Sequence, residues 1–445
     1  MKLPQIPPQI SDIAELDHDR LFDIFMLNVK PVDEKGRYLH WDEIIHKKSP
    51  EGFTKDEYWL AIKNTRLKIS SHLAFKLKNQ TNFSFCIPEP ILKLNSYIDK
   101  HACGTVDAPK ELNEGGHKER FLVSSIIEEA IRSSQLEGAS TTRDAAKKMI
   151  LSDSKPKDKS QQMIMNNYRA MQFIKDKKDE SLTPELIFEI HRILTENTLE
   201  NPLKAGTFRT DEDSVTVVDN RDGATLHIPP KAGELPNRIK VLCDFINKED
   251  EDYFIFPIMK SIILHFMIGY DHPFIDGNGR TARALFYWSA LKYGYWIIEF
   301  ISISQILKKA PSQYAKSYLY TETDGGDVTY FIIHQMEVIK QAIENMYAYI
   351  IRKTNENSAT ESVLRSAKIK ANFNHRQIDL FRKITHNPNS RYTIAEHKNY
   401  HNITYETART DLLELEKLGF MKMVKFGRTY VFIPQDNLMD KLKNY

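Results

Sequence analysis

Residues 272–283 read HPFIDGNGRTAR, and no other part of the chain gathers so many chemically useful side chains. His272 can take up a proton near neutral pH. Asp276 offers the hard carboxylate oxygen that Mg²⁺ prefers, usually together with phosphate oxygens and water. Arg280 and Arg283 are three residues apart, so they share one helix face and present guanidinium groups suited to phosphate oxygens. The spacing predicts a polyphosphate site.

Gly277, Asn278 and Gly279 stand where this loop enters a helix, and Thr281 and Ala282 follow. Glycine has no Cβ, so the backbone there can approach a ligand closely. The first amide groups of a helix have no partner within it and carry partial positive charge, which favours a bound phosphate. Each piece alone is compatible with an ordinary helix N-terminus or a structural histidine. The complete run favours a site.

The run resembles the signature of the Fic family, HPFx[D/E]GNGRxxR, at every defined position. The resemblance implies a nucleotidyl transferase that moves AMP from ATP to a Ser, Thr or Tyr hydroxyl of a target protein, with ATP as substrate and Mg²⁺ as cofactor. It implies that His272 is the general base, that Asp276 holds Mg²⁺ and that Phe274 is a buried wedge. It further implies that the nucleotide is bound by Gly277, Asn278, Gly279, Arg280, Thr281, Ala282 and Arg283, with the two arginines on the β- and γ-phosphates.

Residues 313–316 read QYAK, where many Fic proteins carry two adjacent tyrosines near the nucleotide base. This chain keeps Tyr314 and has Ala315 in the second place. Tyr318 can compensate from the next helical turn. The resemblance implies that Tyr314 contacts the base, and it leaves the strictness of adenine selectivity open.

Residues 119–137 contain apolar residues at helical spacing and end in SSQLE, followed by Gly138 as a helix C-cap. Ser133 and Glu137 are four apart and share a helix face. Alone, this is an ordinary helix end with an exposed glutamate. Beside the Fic-like signature it resembles the inhibitory motif [S/T]xxxE[G/N]. That resemblance implies that Glu137 pairs with Arg283 and occupies the space of the γ-phosphate.

A β-hairpin is predicted within residues 205–230, because a valine-rich run around 215–218 and a turn at 220–223 precede a second β-prone run. It resembles the flap of Fic proteins, whose exposed edge can bind an extended target segment by strand addition. The target-binding residues on this reading are Thr225, Leu226, His227 and Ile228. Gly206, Phe208 and Arg209 resemble the G-x-[FY]-R stretch of the family, which would anchor the hairpin. A surface hairpin without function is the alternative.

The composition excludes several classes of protein. The 445 residues have a net charge of +2, so no global field favours nucleic acid or membrane binding. The three cysteines form neither a CxxC pair nor a Cys/His cluster, which argues against a zinc site or a disulfide scaffold. The first ten residues lack the apolar core of a signal peptide. We therefore expect a cytoplasmic protein that makes no membrane contact.

The elements that must position the site are helical. Thr183-Pro184 marks a helix start, 257–269 is a strongly apolar helix that leads into the signature, and a further helix follows the anion loop. The expected fold is mainly α, with a helical Fic core at 116–352 that includes the inhibitory helix and the flap. Residues 1–115 are expected to form an N-terminal helical extension whose task the sequence does not name.

Residues 353–372 are polar and predict a linker to a smaller α+β domain at 373–445. The domain is predicted to contain three helices, with Thr393 and Thr404 as caps, and a hairpin over 421–433. This arrangement resembles a winged helix-turn-helix, whose third helix would be the one that reads DNA. Its basic residues Arg409 and Lys417 are offset by Glu406, Asp411, Glu414 and Glu416. The wing adds Lys422, Lys425 and Arg428. DNA binding is thus possible but not favoured over dimerisation or target docking.

Three functions remain open on this reading. AMP transfer is the first, because a metal ligand and two arginines suit ATP. Removal of AMP by water, or transfer of another phosphate-linked group at the same site, is the second, with Glu137 positioning the water. The third is a DNA-binding regulator that acts through the C-terminal domain. An intact His272 and a complete anion loop argue against the last.

Overall fold

A computed structural model of the chain describes residues 3–8, 18–103, 117–219, 221–248, 253–356, 372–386, 390–426, 429–435, 438 and 441–442. The expected mainly helical fold is confirmed, with three two-stranded sheets in these residues. The chain divides into two compact units. The first contains Met1–Cys103, Arg169–Ile298 and Ile303–Gln341, and the second contains Gly104–Tyr168, Glu299–Ser302 and Ala342–Tyr445.

The described residues form seventeen α-helices. In order they are α1 His18–Met26, α2 Trp41–Ile44, α3 Lys55–Leu67, α4 Glu89–Ala102, α5 His117–Leu136, α6 Arg143–Leu151, α7 Lys159–Asp176, α8 Pro184–Thr195, α9 Leu235–Asn247, α10 Pro257–Asp271, α11 Asn278–Lys292, α12 Ile303–Lys309, α13 Pro311–Thr323, α14 Thr329–Glu356, α15 His375–His386, α16 Ile394–His401 and α17 Tyr405–Lys417. The strands are β1 Ser70–Lys76, β2 Asn82–Cys86, β3 Val217–Val218, β4 Thr225–His227, β5 Met421–Phe426 and β6 Thr429–Pro434.

Helices α8, α10 and α11 form the scaffold of the signature loop, and α11 packs against both of the others. The predicted start of α8 is confirmed: the Thr183 side chain accepts the Leu186 amide, and Pro184 occupies the first turn. Helix α10 is buried along almost its whole length. A hydrogen bond of 2.9 Å between the hydroxyls of Ser261 and Ser289 joins α10 to α11. Although α10 is largely apolar, none of the described helices combines the length and hydropathy that a membrane-spanning segment needs.

The N-terminal segment contributes a β-hairpin as well as helices to the first unit. Strands β1 and β2 pair antiparallel, and their aromatic side chains pack into the core. Phe75 meets Phe245 of α9 edge-on, with ring centroids 5.1 Å apart, and Phe83 meets Phe266 of α10 at 5.6 Å. The sequence analysis anticipated only helices here.

A buried cation ties the same segment to the start of α14. Arg66 is 2% exposed, and its guanidinium donates to the Tyr330 hydroxyl at 2.8 Å and to the Leu39 carbonyl at 2.9 Å. Nearby, the Lys63 ammonium lies 2.7 Å from an Asp324 carboxylate oxygen. Buried charges need such partners, because removing them from water is costly.

The second unit begins with the helices that carry the predicted inhibitory motif. Helices α5, α6 and the first part of α7 share an apolar core formed by Val123, Ile127, Ile131, Ala146, Met149, Ile150, Ile164 and Met165. Glu128 of α5 pairs with Arg132 at 2.7 Å and with Arg143 of α6 at 2.6 Å. The two helices are therefore fixed to each other by both apolar packing and ion pairs.

The C-terminal part of the second unit contains α15, α16 and α17 followed by the β5–β6 hairpin. Thr393 and Thr404 cap α16 and α17 as predicted. Helix α16 packs against α5 and α6, and the Asn399 amide donates to the Leu151 carbonyl at the end of α6 at 2.7 Å. Most of the predicted linker (357–371) and Arg428 lie outside the described residues. The winged-helix interpretation stays a prediction.

Asp411 of α17 points into this domain. It accepts hydrogen bonds from Asn374 at 2.7 Å, from Arg376 at 2.6 Å and from His397 at 3.1 Å. Burial raises the pKa of Asp411, but the hydrogen bonds from His397 and Arg376 outweigh it and hold the pKa below its ordinary value. Its charge is therefore neutralised inside the domain.

We expect Asp411→Ala to lower the free energy of unfolding by about 3 kcal/mol, because it leaves the Arg376 charge without its buried partner. Urea unfolding followed by circular dichroism measures this. Tryptophan fluorescence would report on the other unit, because all four tryptophans lie in the first unit. Glu406→Ala, at a side chain that is 78% exposed on the same helix, is the control. An equal loss in the control would contradict the role given to Asp411.

Candidate functional site

The signature loop reverses the chain between α10 and α11 within a few residues. His272 ends α10 with φ 46° and ψ 58°, and Gly277 precedes α11 with φ 81°. A non-glycine residue in the left-handed region is strained, and such strain is common at functional sites. The two left-handed residues allow α10 to end and α11 to begin within this one loop.

Gly277 also lies very close to α8. A Cβ atom at this position would be 2.8 Å from Thr195 Cγ2 and 3.4 Å from His191 Nε2.

As the N-cap of α11, Gly277 offers no side chain to the first amides of this helix, and the first helical hydrogen bond is from Thr281 N to Gly277 O at 2.9 Å. The amides of Asn278, Gly279 and Arg280 precede that bond, so this helix end suits an anion.

Two side chains of the predicted cradle serve the loop itself. The Asn278 amide accepts from Phe274 N at 2.9 Å and donates to Phe274 O at 2.8 Å, which closes the loop on itself. Phe274 is fully buried, as predicted, and its role as a wedge stays a prediction. Thr281 and Ala282 are also buried, and the Thr281 hydroxyl donates to Gly277 O. These residues therefore present mainly backbone groups, rather than side chains, to a ligand.

The two arginines of the loop are both buried. Arg280 donates to the Leu194 carbonyl at 2.9 Å, and its second terminal nitrogen lies 3.5 Å from Asp276 Oδ2. Arg280 Nε has no hydrogen-bond partner among the described residues, which is costly for a buried donor unless an anion accepts from it. The charge of Arg283 helps to lower the pKa of His265, after burial as the main cause.

His272 is half-buried, and its ring is oriented by the backbone. Its Nδ1 lies 2.9 Å from the Gly269 carbonyl, which can only accept, so Nδ1 carries the proton in the neutral ring. The basic lone pair is then on Nε2. Its own carbonyl accepts from Arg209 Nε at 2.7 Å.

Arg209 connects the loop to the end of the β3–β4 hairpin. Besides His272 O, its guanidinium donates to the Pro230 carbonyl at 2.5 Å, and its backbone amide donates to Pro273 O at 2.9 Å. The neighbouring Phe208 packs edge-on against Phe188 of α8. Residues 206–209 thus anchor both the hairpin and the signature loop.

His191 of α8 is a supporting residue that the sequence analysis missed. Its Nδ1 accepts the Gly206 amide at 2.8 Å, and its Nε2 donates to the Asp276 carbonyl at 2.9 Å. The ring stacks on Phe274 with centroids 3.7 Å apart. Burial lowers the pKa of His191 to about 4, so the neutral ring that both bonds require persists near neutral pH. A histidine within an apolar helical repeat gave no local signal of this task.

The donor set around Asp276 fits a metal held partly by the substrate. The Asp276 side chain is 52% exposed, and one of its oxygens accepts the Gly277 amide. No group of three or more metal-binding side chains occurs in the described part of the chain. Mg²⁺ is commonly held by one or two carboxylates together with substrate phosphates, and this arrangement suits that mode rather than an all-protein cage.

The predicted flap is present as a short antiparallel hairpin of β3 and β4, with Val217 opposite His227. Thr225 and Ile228 are exposed, Leu226 is half-buried and His227 is buried. The Lys78 ammonium, from the turn between β1 and β2, donates to the Ile228 carbonyl at 2.7 Å. Asn220 of the predicted turn lies outside the described residues.

Tyr314 lies on α13 and reaches the helix that leads into the loop. Its hydroxyl is 2.8 Å from His265 Nε2, and burial holds the pKa of His265 well below its ordinary value. One turn later, the Tyr318 hydroxyl approaches Gly269 so closely that a Cβ there would be 2.3 Å away. The Tyr314 hydroxyl is thus directed into the core, and its ring lies beside Phe331 and His334, with ring centroids 6.3 Å away in both cases. Its contact with a nucleotide base stays a prediction.

The inhibitory motif has the expected local geometry. Ser133 is buried, Glu137 is exposed immediately after the end of α5, and Gly138 has φ 92°. The Ala139 amide closes this turn on the Ser134 carbonyl at 3.0 Å, which is a glycine-terminated helix end. The pairing of Glu137 with Arg283 stays a prediction.

Comparison with known proteins supports this assembly. The Fic/DOC family matches residues 181–290, which include α8, the flap and the signature loop. Protein adenylyltransferase Fic of Nematostella vectensis is 36% identical over 108 residues, or 24% of this chain and 22% of that protein. The same-named protein of Drosophila willistoni is 31% identical over 114 residues, or 26% of this chain and 20% of that protein. The chain thus spans about a fifth of these relatives.

A solved structure is similar over more of the chain. A Fic family protein from Desulfovibrio desulfuricans G20 superposes with a TM-score of 0.50 at 15% sequence identity. The match covers 79% of this chain and 97% of that one. At this identity the likeness shows the fold alone.

We expect Gly277→Ala to weaken the binding of a fluorescent ATP analogue with Mg²⁺ by at least about tenfold, because a left-handed non-glycine residue costs about 1–2 kcal/mol and the Cβ collides with Thr195. Titration gives the Kd. Gly52→Ala is a matched control, since Gly52 has φ 79° but nothing within 4 Å of its Cβ position. Equal weakening in both variants would contradict the crowding argument.

Proposed function

Because residues 181–290 are a Fic domain, we propose that the protein transfers AMP from ATP to a Ser, Thr or Tyr hydroxyl of a target protein. The observation that carries the proposal is the orientation of His272, whose Nδ1 is bonded to Gly269 O at 2.9 Å. This leaves Nε2 as a base in the same loop as the uncapped N-terminus of α11. A base and an anion site in one short loop suit nucleotidyl transfer.

The reaction follows from these groups. The target hydroxyl oxygen attacks the α-phosphorus of ATP while His272 Nε2 takes its proton. The bond from the α-phosphorus to the bridging oxygen breaks, and pyrophosphate leaves. The first amides of α11, with Arg280 and Arg283, stabilise the charge on the phosphate oxygens. Asp276 would hold Mg²⁺, which neutralises phosphate charge when bound.

The flap supports the choice of a protein substrate. In the described part of the chain its sheet consists of β3 and β4, so an extended segment can add to an outer edge of this sheet by backbone pairing. Thr225 and Ile228 are exposed beside that edge. Backbone pairing reads little sequence, so this mode of recognition selects an extended conformation more than a particular motif.

Auto-inhibition by Glu137 is part of the proposal. A carboxylate paired with Arg283 would take the space of the γ-phosphate and misalign the α-phosphate for attack. Glu137 is exposed and held at a fixed helix end by Gly138. The neighbouring α5–α6 packing supports a rigid presentation of this carboxylate.

We expect Glu137→Gly to raise auto-modification by labelled ATP by at least about tenfold, which corresponds to about 1.4 kcal/mol, because the γ-phosphate regains its place. The double variant Glu137→Gly, His272→Ala should show no transfer. Mass spectrometry of the product must find one added AMP. Loss of AMP from a modified protein would favour the hydrolytic alternative, and an unchanged rate in Glu137→Gly would remove the inhibition from the proposal.

DNA binding by the C-terminal domain is a second candidate, because the inward Asp411 removes one acidic charge from the outer face of α17. Lys422, Lys425 and the half-exposed Tyr430 of the hairpin add basic and aromatic surface. However, Glu406 remains exposed beside Arg409.

The remaining acidic charge leads us to expect only weak DNA binding. Fluorescence anisotropy with duplex DNA should give a Kd above about 1 µM near physiological salt, in the range of non-specific binding. A Lys422→Ala, Lys425→Ala variant tests whether the hairpin is responsible for this weak binding. A nanomolar, sequence-dependent Kd for the parent would instead make the protein a DNA reader.

A further inference from the structure

His227, the last residue of β4, faces a hydrogen-bond acceptor at each ring nitrogen. Its Nε2 lies 2.7 Å from the Tyr270 carbonyl, and its Nδ1 lies 2.7 Å from Glu322 Oε2 on α13. The His227 side chain is 7% exposed and that of Glu322 is 17% exposed. Both contacts therefore lie in a region with little competing water.

These two partners determine what the ring must carry. A carbonyl oxygen only accepts, and an ionised carboxylate also only accepts. A neutral imidazole has one N–H, so it satisfies one of the two partners and turns a lone pair towards the other. While Glu322 is ionised, both contacts are hydrogen bonds at once only in the imidazolium form of His227.

The contacts join three elements at the flap. Tyr270 is two residues before His272, so β4 is bonded to the end of the helix that delivers the proposed base. On α13, Glu322 shares a helix face with Tyr318 and Tyr314, four and eight residues earlier, which pack on α10. The same face of α13 thus contacts the flap through Glu322 and carries Tyr314, the proposed nucleotide-base residue.

Other charged groups lie around this pair. The charge of His227 acts on Asp271 of α10, whose pKa burial raises to about 6, although Arg238 of α9 and Arg209 oppose this. Arg238 donates to Asp271 at 2.7 Å and Arg209 donates to the flap at Pro230. Lys78 approaches from the β1–β2 turn through Ile228 O. Glu322 is the one carboxylate in direct contact with the His227 ring in the described residues.

We infer that His227 and Glu322 are a positioning pair that holds the flap against the signature loop. Neither residue touches the reacting atoms. The pair acts by fixing the strand to which the target backbone would add, and this role rests on the proposed function. Without the Glu322 carboxylate, the ring keeps only its contact with the Tyr270 carbonyl, and the flap loosens.

Hydrogen–deuterium exchange of the peptide covering residues 215–230 tests the anchor without any assumption about activity. At a fixed pH, Glu322→Ala should lose flap protection by about tenfold relative to the parent, for the loss of one charge-assisted bond. Glu322→Gln should keep the protection of the parent, because its side-chain amide can still bond to Nδ1 as a donor or an acceptor.

Glu212→Gln is the matched control, since Glu212 is an exposed carboxylate shortly before the flap. It should reproduce the parent. Equal flap protection in the parent and Glu322→Ala would overturn the inference. So would a Glu322→Gln variant whose flap is as loose as that of Glu322→Ala.

The functional arm uses auto-modification in the Glu137→Gly background. There Glu322→Ala should slow transfer by about tenfold, because small misplacements of a reacting group are costly, while the Kd for the ATP analogue stays unchanged. Glu322→Gln should keep the rate of the background variant. If ATP binding falls together with transfer, the residue is merely structural and the inference fails. If no variant transfers AMP yet the exchange pattern holds, the proposed function fails and the anchor stands.

Discussion

The chain must reverse between two buried helices within the loop at 272–277, and this constraint shapes the whole site. His272 and Gly277 provide the reversal by adopting left-handed backbone angles. A loop at this depth must also satisfy its own polar groups. Arg209 accordingly donates to the His272 carbonyl, His191 to the Asp276 carbonyl, and Asn278 bonds both backbone groups of Phe274. The amides at the start of α11 remain for a ligand.

Burial separates the histidines of the first unit into different tasks. His191 and His265 are inaccessible to water, and desolvation keeps both neutral near physiological pH. As neutral rings they give fixed donor and acceptor atoms, which hold the loop and Tyr314 in place. His272, the proposed base, is half-buried. One side-chain type thus supplies the scaffold and, on our proposal, the base, and the degree of desolvation separates the two tasks.

Local signals made part of this structure predictable. The caps at Thr183 and Thr393 and the signature loop depend on residues within a few positions of each other, so the sequence alone locates them. The task of His191 depends on Asp276, a contact across 85 residues, and could not be read from its own helix. The same limit applies to Asp411, which counts as a surface charge until its distant partners are known.

The N-terminal segment, whose task could not be predicted from its sequence, packs into the first unit. His40 stacks on Tyr320 of α13 with ring centroids 4.2 Å apart, and its Nε2 lies 3.1 Å from the Thr323 hydroxyl. Lys63 then neutralises Asp324, which is 5% exposed just beyond α13. Without that segment, Asp324 would keep a buried charge without its cation, which is strongly unfavourable. Helix α13, which contacts both the flap and α10, is therefore held at its C-terminal end by residues more than two hundred positions earlier.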